Sequence, residues 1–244
     1  GVMAELTGRI GGYSKGKGGS MHMFSRETGF YGGHGIVGAQ ASLGNGLAFA
    51  NWYRQDGRVA LTYFGEGASN QGQVFESLNL AALFKLPCIF IIENNKYGMG
   101  TSVERASASR DLSQNGAAWG IPGEQVNGMD VASVREAGER AVAHCRAGKG
   151  PYLLEMKTYR YRGHSMSDPA KYRTREEVQK MRETSDCIET ARKALLDDFG
   201  VTEADLKVID DEVKAIVQDS ADFAQESPEP PESELMTDIL VEVG

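Results

Sequence analysis

The sequence predicts an α/β fold with a mostly parallel sheet flanked by helices, and three observations carry that prediction. Val59–Phe64 is a short run of β-branched and aromatic residues, the pattern of a buried strand, and it stops at Gly65-Glu66-Gly67. The period then changes: Val74, Phe75, Leu78, Ala81 and Ala82 recur at helical spacing, so a helix is expected from Asn70 to Lys85. Pro87 ends the turn, and Cys88–Ile92 is a second apolar strand that runs out into Glu93-Asn94-Asn95. A strand–helix–strand unit of this kind is a crossover, and crossovers make parallel sheets.

The remaining elements follow in order. Ser14–Ser20 is a glycine-rich basic loop whose Lys15 and Lys17 can meet a phosphate or an acidic partner. Gly29–Gly38 is a second glycine-rich turn, and the stretch 39–55 reads as a helix. Tyr97–Arg110 is irregular and polar, and Ser107–Gly123 is expected to be a mobile loop leading to Trp119. Val131–Arg146 is amphipathic and serves as the crossover helix to a third strand, Tyr152–Thr158. Helices are expected over Thr174–Glu183, Asp186–Phe199 and Thr202–Glu226, with Thr174 and Glu177 forming a capping box and Thr202 and Asp205 a similar signal. Leu206, Ile209, Val213, Ile216 and Val217 share one face of the last helix, a stripe that ordinary core packing explains. Residues 227–232, Ser-Pro-Glu-Pro-Pro-Glu, form an extended linker, after which Leu235–Val243 is expected to pack on a partner.

Composition narrows the function classes. The chain has 244 residues and a net charge of −8, enough length for one large α/β domain or a domain with a helical appendage and the wrong sign for a nucleic-acid binder. No apolar run is long enough to span a bilayer, so no membrane role is expected. Cys88, Cys145 and Cys187 are dispersed and form no CxxC, which predicts reduced thiols in a cytosol or matrix. Many of the 30 glycines precede residue 70, a bias that suits close approach of backbone to a ligand.

In open α/β sheets ligands sit beyond the carboxyl ends of the strands, and both Gly65-Glu66-Gly67 and Asn94-Asn95 fall at such ends. Two glycines admit a ligand close to the backbone, and a helix start near Asn70 offers free N–H groups to a phosphate. A carboxylate, an amide oxygen and nearby carbonyls are hard ligands of the kind Mg²⁺ takes together with substrate phosphates. These residues therefore describe a Mg²⁺-diphosphate site; two ordinary strand-to-loop turns fit the same spacing equally well. Tyr159–Tyr172, YRYRGHSMSDPAKY, also follows a strand, and its arginines and histidine can bind a dianion and move a proton.

Gly65-x-Gly67 followed by twenty-six residues and Asn94-Asn95 resembles the thiamine diphosphate motif. The longer words GASNQGQVFESLN, LPCIFIIENNKYGMGTSVERA and TYRYRGHSMSDPAKYRTREE are similar to the α subunits of the thiamine diphosphate-dependent 2-oxo acid dehydrogenases, in the pyruvate-specific branch of α-proteobacterial and mitochondrial type. The resemblance covers nearly the whole chain. It implies a thiamine diphosphate-binding fold, with residues 1–172 as the cofactor and Mg²⁺ domain and 173–244 as a helical segment and tail packing on that domain or a partner. It implies cofactor contacts at Gly35, Val37, Gly65, Glu66, Gly67, Ala68, Asn95, Arg160 and His164, with Mg²⁺ held by Glu66, Asn95 and Tyr97. His22 and His164 are the implied catalytic residues; His34 is a lesser candidate, and Ser165 matches a serine that kinases modify in mitochondrial relatives.

The implied activity is decarboxylation of pyruvate with transfer of the acetyl group to a lipoyl domain. The implied partners are a β subunit, in a heterotetramer, and a dihydrolipoyl acyltransferase core. Acetoin or branched-chain 2-oxo acids are the alternative substrates, and a non-catalytic assembly subunit is the alternative class. The family carries a further region ahead of the stretch that begins here at Gly1. It also has aspartate where this chain has Glu66, one methylene longer.

Overall fold

The computed structural model describes residues 1–240; the last part of the expected partner-packing stretch, 241–243, lies outside the described residues. The chain divides into two compact units, 36–199 and 1–35 with 200–244. The helices in chain order are α1 (Val2–Leu6), α2 (Ala39–Arg54), α3 (Gly72–Leu83), α4 (Val103–Ala106), α5 (Val131–Arg146), α6 (Arg175–Ser185), α7 (Cys187–Asp198) and α8 (Glu203–Glu226). The strands are β1 (Ala60–Gly65), β2 (Cys88–Asn94), β3 (Tyr97–Gly98), β4 (Thr101–Ser102), β5 (Gly123–Asn127) and β6 (Tyr152–Lys157). No described helix is long and apolar enough to cross a membrane.

The larger unit is built on a four-stranded, wholly parallel sheet in the order β1-β2-β6-β5. β2 is buried on both faces, which is why it reads as an unbroken apolar run. Phe90 and Ile92 enter one core with Val74, Leu78 and Ala81 of α3 and Ala41 and Ala48 of α2. Ile89 and Ile91 enter the other, with Ala137 and Ala141 of α5 and Leu154 and Met156 of β6. Side chains alternate across the pleat, so one strand feeds both cores. Each large aliphatic or aromatic side chain buried this way contributes about 1.5–3 kcal/mol. Gly44 lets α2 lie on β1: a Cβ there would stand 2.7 Å from Thr62 Cβ, too close to tolerate. On the opposite face of β1, Leu61 and Tyr63 are half exposed.

Two stretches differ from expectation. Ser107–Gly123, expected as a mobile loop leading to Trp119, contains a packed 3₁₀ helix over Leu112–Trp119. Its start is held by the Glu155 carboxylate, which accepts the Leu112 and Ser113 N–H groups at 2.8 and 3.1 Å. β5, Gly-Glu-Gln-Val-Asn, carries no strand-like apolar alternation; it is an edge strand that pairs with β6 alone. Within Tyr97–Arg110 lie the short antiparallel hairpin β3–β4 and the single turn α4.

In the smaller unit the Glu5 side chain is fully buried and is the hub of the glycine-rich loop. Its oxygens accept N–H bonds from Ser14, Gly16, Gly18 and Gly19 at 2.7–3.2 Å. Burial raises the Glu5 pKa and these four bonds lower it; the bonds prevail, and the net shift is downward. Lys15 and Lys17 meet an acidic partner within the chain, pairing with Glu234 and Asp238 at 2.9–3.4 Å. The stripe on α8 corrects the sequence reading. Ile209, Val213, Ile216 and Val217 are more than half exposed, while Ala224 further along is buried. α1, which packs on α8, has five residues against twenty-four. At 1.5 Å per residue it spans about 8 Å of a helix about 36 Å long, too little to cover the stripe.

Candidate active site

The parallel register sets Gly65 of β1 beside Glu93 of β2, so the two strands end together and release Glu66 and Asn95 at one edge. Glu66 is buried and does not turn out to solvent or pair with Lys96. Its Oε2 accepts the Asn95 N–H at 3.1 Å, and its backbone C=O accepts the Ser69 hydroxyl at 2.6 Å. Burial, and next the Glu66 charge, raise the pKa of Glu93. The two asparagines divide their work. Asn94 is buried and donates to Glu155 Oε1 at 2.7 Å, while Asn95 Oδ1 accepts the Tyr97 N–H at 3.3 Å.

Among the described residues, nothing beyond its chain neighbours comes within 4 Å of where a Cβ on Gly65 would stand. Packing therefore gives no reason for glycine there, and the position is open to a ligand. A 3₁₀ turn over Ala68–Asn70 leads into α3, whose first turn has no side-chain cap. The free N–H groups expected near Asn70 thus begin two residues later, at Gly72. Gln73 of that turn donates to the Val37 C=O at 2.8 Å, tying the half-exposed Val37 to the start of α3.

Arg160 leaves the end of β6 and lies on the β3–β4 hairpin. Its Nη1 donates to Tyr97 C=O at 3.1 Å, and its Nη2 to Met99 C=O at 2.7 Å and Tyr172 Oη at 2.8 Å. Its Nε is buried without a partner among the described residues. That orphaned donor fits a phosphate oxygen. The Glu66 carboxylate, the Asn95 amide oxygen and the Tyr97 carbonyl are all hard oxygen donors on one short path, a set that fits Mg²⁺ and leaves coordination positions for phosphate and water. Among the described residues no cluster of three or more His, Cys, Asp or Glu side chains could hold a metal, so a metal here depends on neutral oxygens as well.

His164 is exposed on the loop after Arg160, and Asp168 pins that loop. Asp168 accepts the His164 N–H at 2.7 Å, the Tyr172 hydroxyl at 2.8 Å and the Ala170 N–H at 2.9 Å. These bonds, the one from His164 first, hold the Asp168 carboxyl down at about 2. Behind the loop, α6 supplies Glu177, which accepts the Tyr159 hydroxyl at 2.8 Å. Thr174 caps α6 through the Glu177 N–H at 3.1 Å, but the Glu177 carboxylate goes to tyrosine, so the expected reciprocal box is half formed. The box at Thr202 and Asp205 is complete.

Hydrogen bonds thus join Asn95 to Glu66 and to Tyr97, and Tyr97 to Arg160; His164 is linked to Arg160 through Asp168 and Tyr172. Gly67 and Ala68 continue the turn from Glu66. His22 and Gly35 belong to the smaller unit, where both are exposed and a Cβ on Gly35 would stand 3.6 Å from His22 Cε1. Sequence reasoning missed Glu155, Asp168, Tyr172 and Glu177. The signal for Glu155 was a lone carboxylate inside the apolar run Tyr152–Lys157.

Residues 1–233 match the model of the family described as dehydrogenase E1 component. The chain belongs to that family. It is similar to the pyruvate dehydrogenase E1 component subunit alpha of Rhizobium meliloti, with 68% identity over 99% of this chain and 69% of that protein. The Zymomonas mobilis subunit of the same name is 59% identical over 98% of this chain and 68% of its own length. The somatic mitochondrial form of Homo sapiens is 56% identical over 96% of this chain, which spans 59% of that protein. Membership accords with the parallel α/β sheet. In this E1 chain the glutamate between the two glycines is directed inward, at the neighbouring strand end.

Proposed function

We propose that this chain is the α subunit of a thiamine diphosphate-dependent pyruvate dehydrogenase, decarboxylating pyruvate and passing the acetyl group to a lipoyl domain. The observation that carries the reading is the convergence of Glu66, Asn95, Tyr97 and Arg160 at adjacent parallel strand ends, in a chain 68% identical to a subunit of that name. Glu66 Oε, Asn95 Oδ1 and the Tyr97 C=O would hold Mg²⁺. The Gly65–Ala68 turn and the uncapped start of α3 would receive the diphosphate, and Arg160 would neutralise it through its orphaned Nε. Gly35 and Val37 would line the cofactor's apolar side. When bound, the cofactor supplies an electron sink for loss of CO₂. His22 and His164 would hold and move protons, the role in which imidazole side chains commonly serve in general acid–base catalysis. Asp168 fixes the backbone that carries His164.

The division of labour is part of the proposal. Residues 1–172 carry the cofactor contacts, and 173–244 packs on the same domain or on a partner. The partners are a β subunit, in a heterotetramer, and a dihydrolipoyl acyltransferase core. The compartment is the bacterial cytosol or the mitochondrial matrix, following the sources of the relatives. The test is pyruvate decarboxylation by the chain alone and with its β partner. Turnover is expected only with both, and His164→Ala is expected to lower turnover with cofactor affinity retained. Turnover by the chain alone, or preference for acetoin or a branched-chain acid, overturns the reading.

A further inference from the structure

Away from Glu66 and Arg160, a cavity of about 350 Å³ opens at the carboxyl ends of β2, β6 and β5. Its floor is made by Asn94, Asn127 and Thr158, which follow or end those strands, and its far wall by Thr184 and Ser185 at the close of α6. β2 and β6 are neighbours in the sheet although distant in sequence, and α3 and α5, the crossover helices on either side, pack on opposite faces. In open α/β sheets such a reversal of strand order is where ligands bind.

The charges around the cavity are unequally engaged. Asp130 is committed to capping α5, its Oδ1 accepting the Ser133 N–H at 3.0 Å. Glu155, beneath the floor, is taken up by Asn94, Leu112, Ser113 and Gln125 at 2.7–3.1 Å. Lys157 Nζ lies 3.8 Å from Glu155 Oε1, a long pairing for a side chain nearly half exposed. Lys96 has no ion pair among the described residues, only the face of the Tyr159 ring at 5.3 Å. Lys96 also holds a backbone φ of +76°, a left-handed conformation that favours glycine or asparagine. Asn94 Oδ1 fixes that turn by accepting the Lys96 N–H at 3.1 Å. Two lysines without a close ion pair thus line one polar cavity rich in hydroxyl and amide groups.

We propose that this cavity binds a small phosphate monoester, with Lys96 and Lys157 meeting the dianion and the hydroxyls of Thr158 and Ser185 meeting its oxygens. Lys96 lies in the chain between Asn95 and Tyr97, two of the proposed metal ligands; neither of these, nor Glu66 or Arg160, lines the cavity, and the proposal does not depend on that reading. Lysine is a point-charge phosphate ligand, and two of them select a dianion over a monoanion.

The test is titration of the full chain, without thiamine diphosphate, by isothermal calorimetry with glycerol 3-phosphate, glycerol and succinate. Saturable binding of the phosphate in the sub-millimolar to millimolar range is expected, weakened at high salt and reduced tenfold or more in Lys157→Gln and in Lys96→Gln. Lysine acetylation mapped by mass spectrometry on the unaltered chain gives a second readout that needs no variant: glycerol 3-phosphate is expected to protect Lys96 and Lys157 and leave Lys180 reactive. No saturable binding together with no protection, or phosphate affinity unchanged in a folded Lys96→Gln/Lys157→Gln double variant, overturns the site. Succinate or glycerol binding as tightly as the phosphate overturns the ligand class.

Discussion

Glu66 Oε2 accepts the Asn95 N–H at 3.1 Å, so one oxygen of the carboxylate at the end of one strand is engaged by the backbone of the next. In the family resemblance this position is an aspartate, one methylene shorter. A shortened side chain gives up that bond or pulls the strand ends together. Glu66→Asp is therefore expected to lower stability without ligand by about 1 kcal/mol, the net worth of one hydrogen bond. It is expected at the same time to bind Mg²⁺-thiamine diphosphate more tightly, because Mg²⁺ tolerates misplaced ligands poorly at roughly 2.0–2.1 Å. Urea unfolding and cofactor titration with Mg²⁺, Mn²⁺ and Ca²⁺ check both halves; equal affinities for all three metals in both chains would remove the geometric argument.

Tyr172 stands between Arg160 and Asp168, accepting from one at 2.8 Å and donating to the other at 2.8 Å. Tyr172→Phe removes both bonds and keeps the ring. Arg160 retains the Tyr97 and Met99 carbonyls, so the loss is expected to be partial: cofactor affinity down about tenfold, from one to two hydrogen bonds of about 1 kcal/mol each. Calorimetric titration of the cofactor measures it. Unchanged affinity and turnover would show that Tyr172 only packs.

Glu155 is fully buried, and four N–H donors converge on it. Glu155→Gln turns one acceptor oxygen into a donor facing donors. A loss of about 1–3 kcal/mol is expected, the cost of leaving buried polar groups unpaired. Chemical denaturation reads the difference, and the 3₁₀ helix over Leu112–Trp119 should show the earliest loss of amide protection.

The Asp168 carboxyl is held from its ordinary 3.8 down to about 2 by bonds that need it ionised. A carboxyl with a depressed folded pKa contributes fully above its unfolded value and loses that contribution as pH falls through its folded value. The loop from Tyr161 to Tyr172 should therefore keep its order at pH 5 and lose it between about pH 4 and pH 2. Amide protection of His164 across that range is the measurement, and Asp168→Asn should abolish the transition.

The central crossover was readable because its signals are local. Val59–Phe64, the helical period from Val74 and the run at Cys88 fix β1, α3 and β2 to within a few residues. The meeting of Glu66 and Asn95 was legible for the same reason: each directly follows a strand whose end the local pattern marks. What failed depends on distant partners. β5 is a strand because β6 lies beside it, and the 3₁₀ helix exists because a carboxylate 42 residues later receives the Ser113 N–H. The α8 stripe shows the converse, since periodicity identifies an apolar face and says nothing of what covers it. Arg160 came from a family likeness, and Tyr172 and Asp168, which position it, carry no pattern of their own.

The sheet register has a consequence for how the chain finds its fold. Ala60 pairs with Cys88 and Gly123 with Leu153, separations of 28 and 30 residues, whereas Ile89 pairs with Tyr152 across 63. The halves β1-α3-β2 and β5-α5-β6 are each short closures, and the long-range step is the seam between β2 and β6. The Asn94–Glu155 bond crosses that seam. Until it closes, each half carries an apolar strand edge, and one carries a carboxylate missing its Asn94 partner. A half-assembled sheet therefore leaves both an apolar edge and a buried carboxylate unmet until the β2–β6 seam closes.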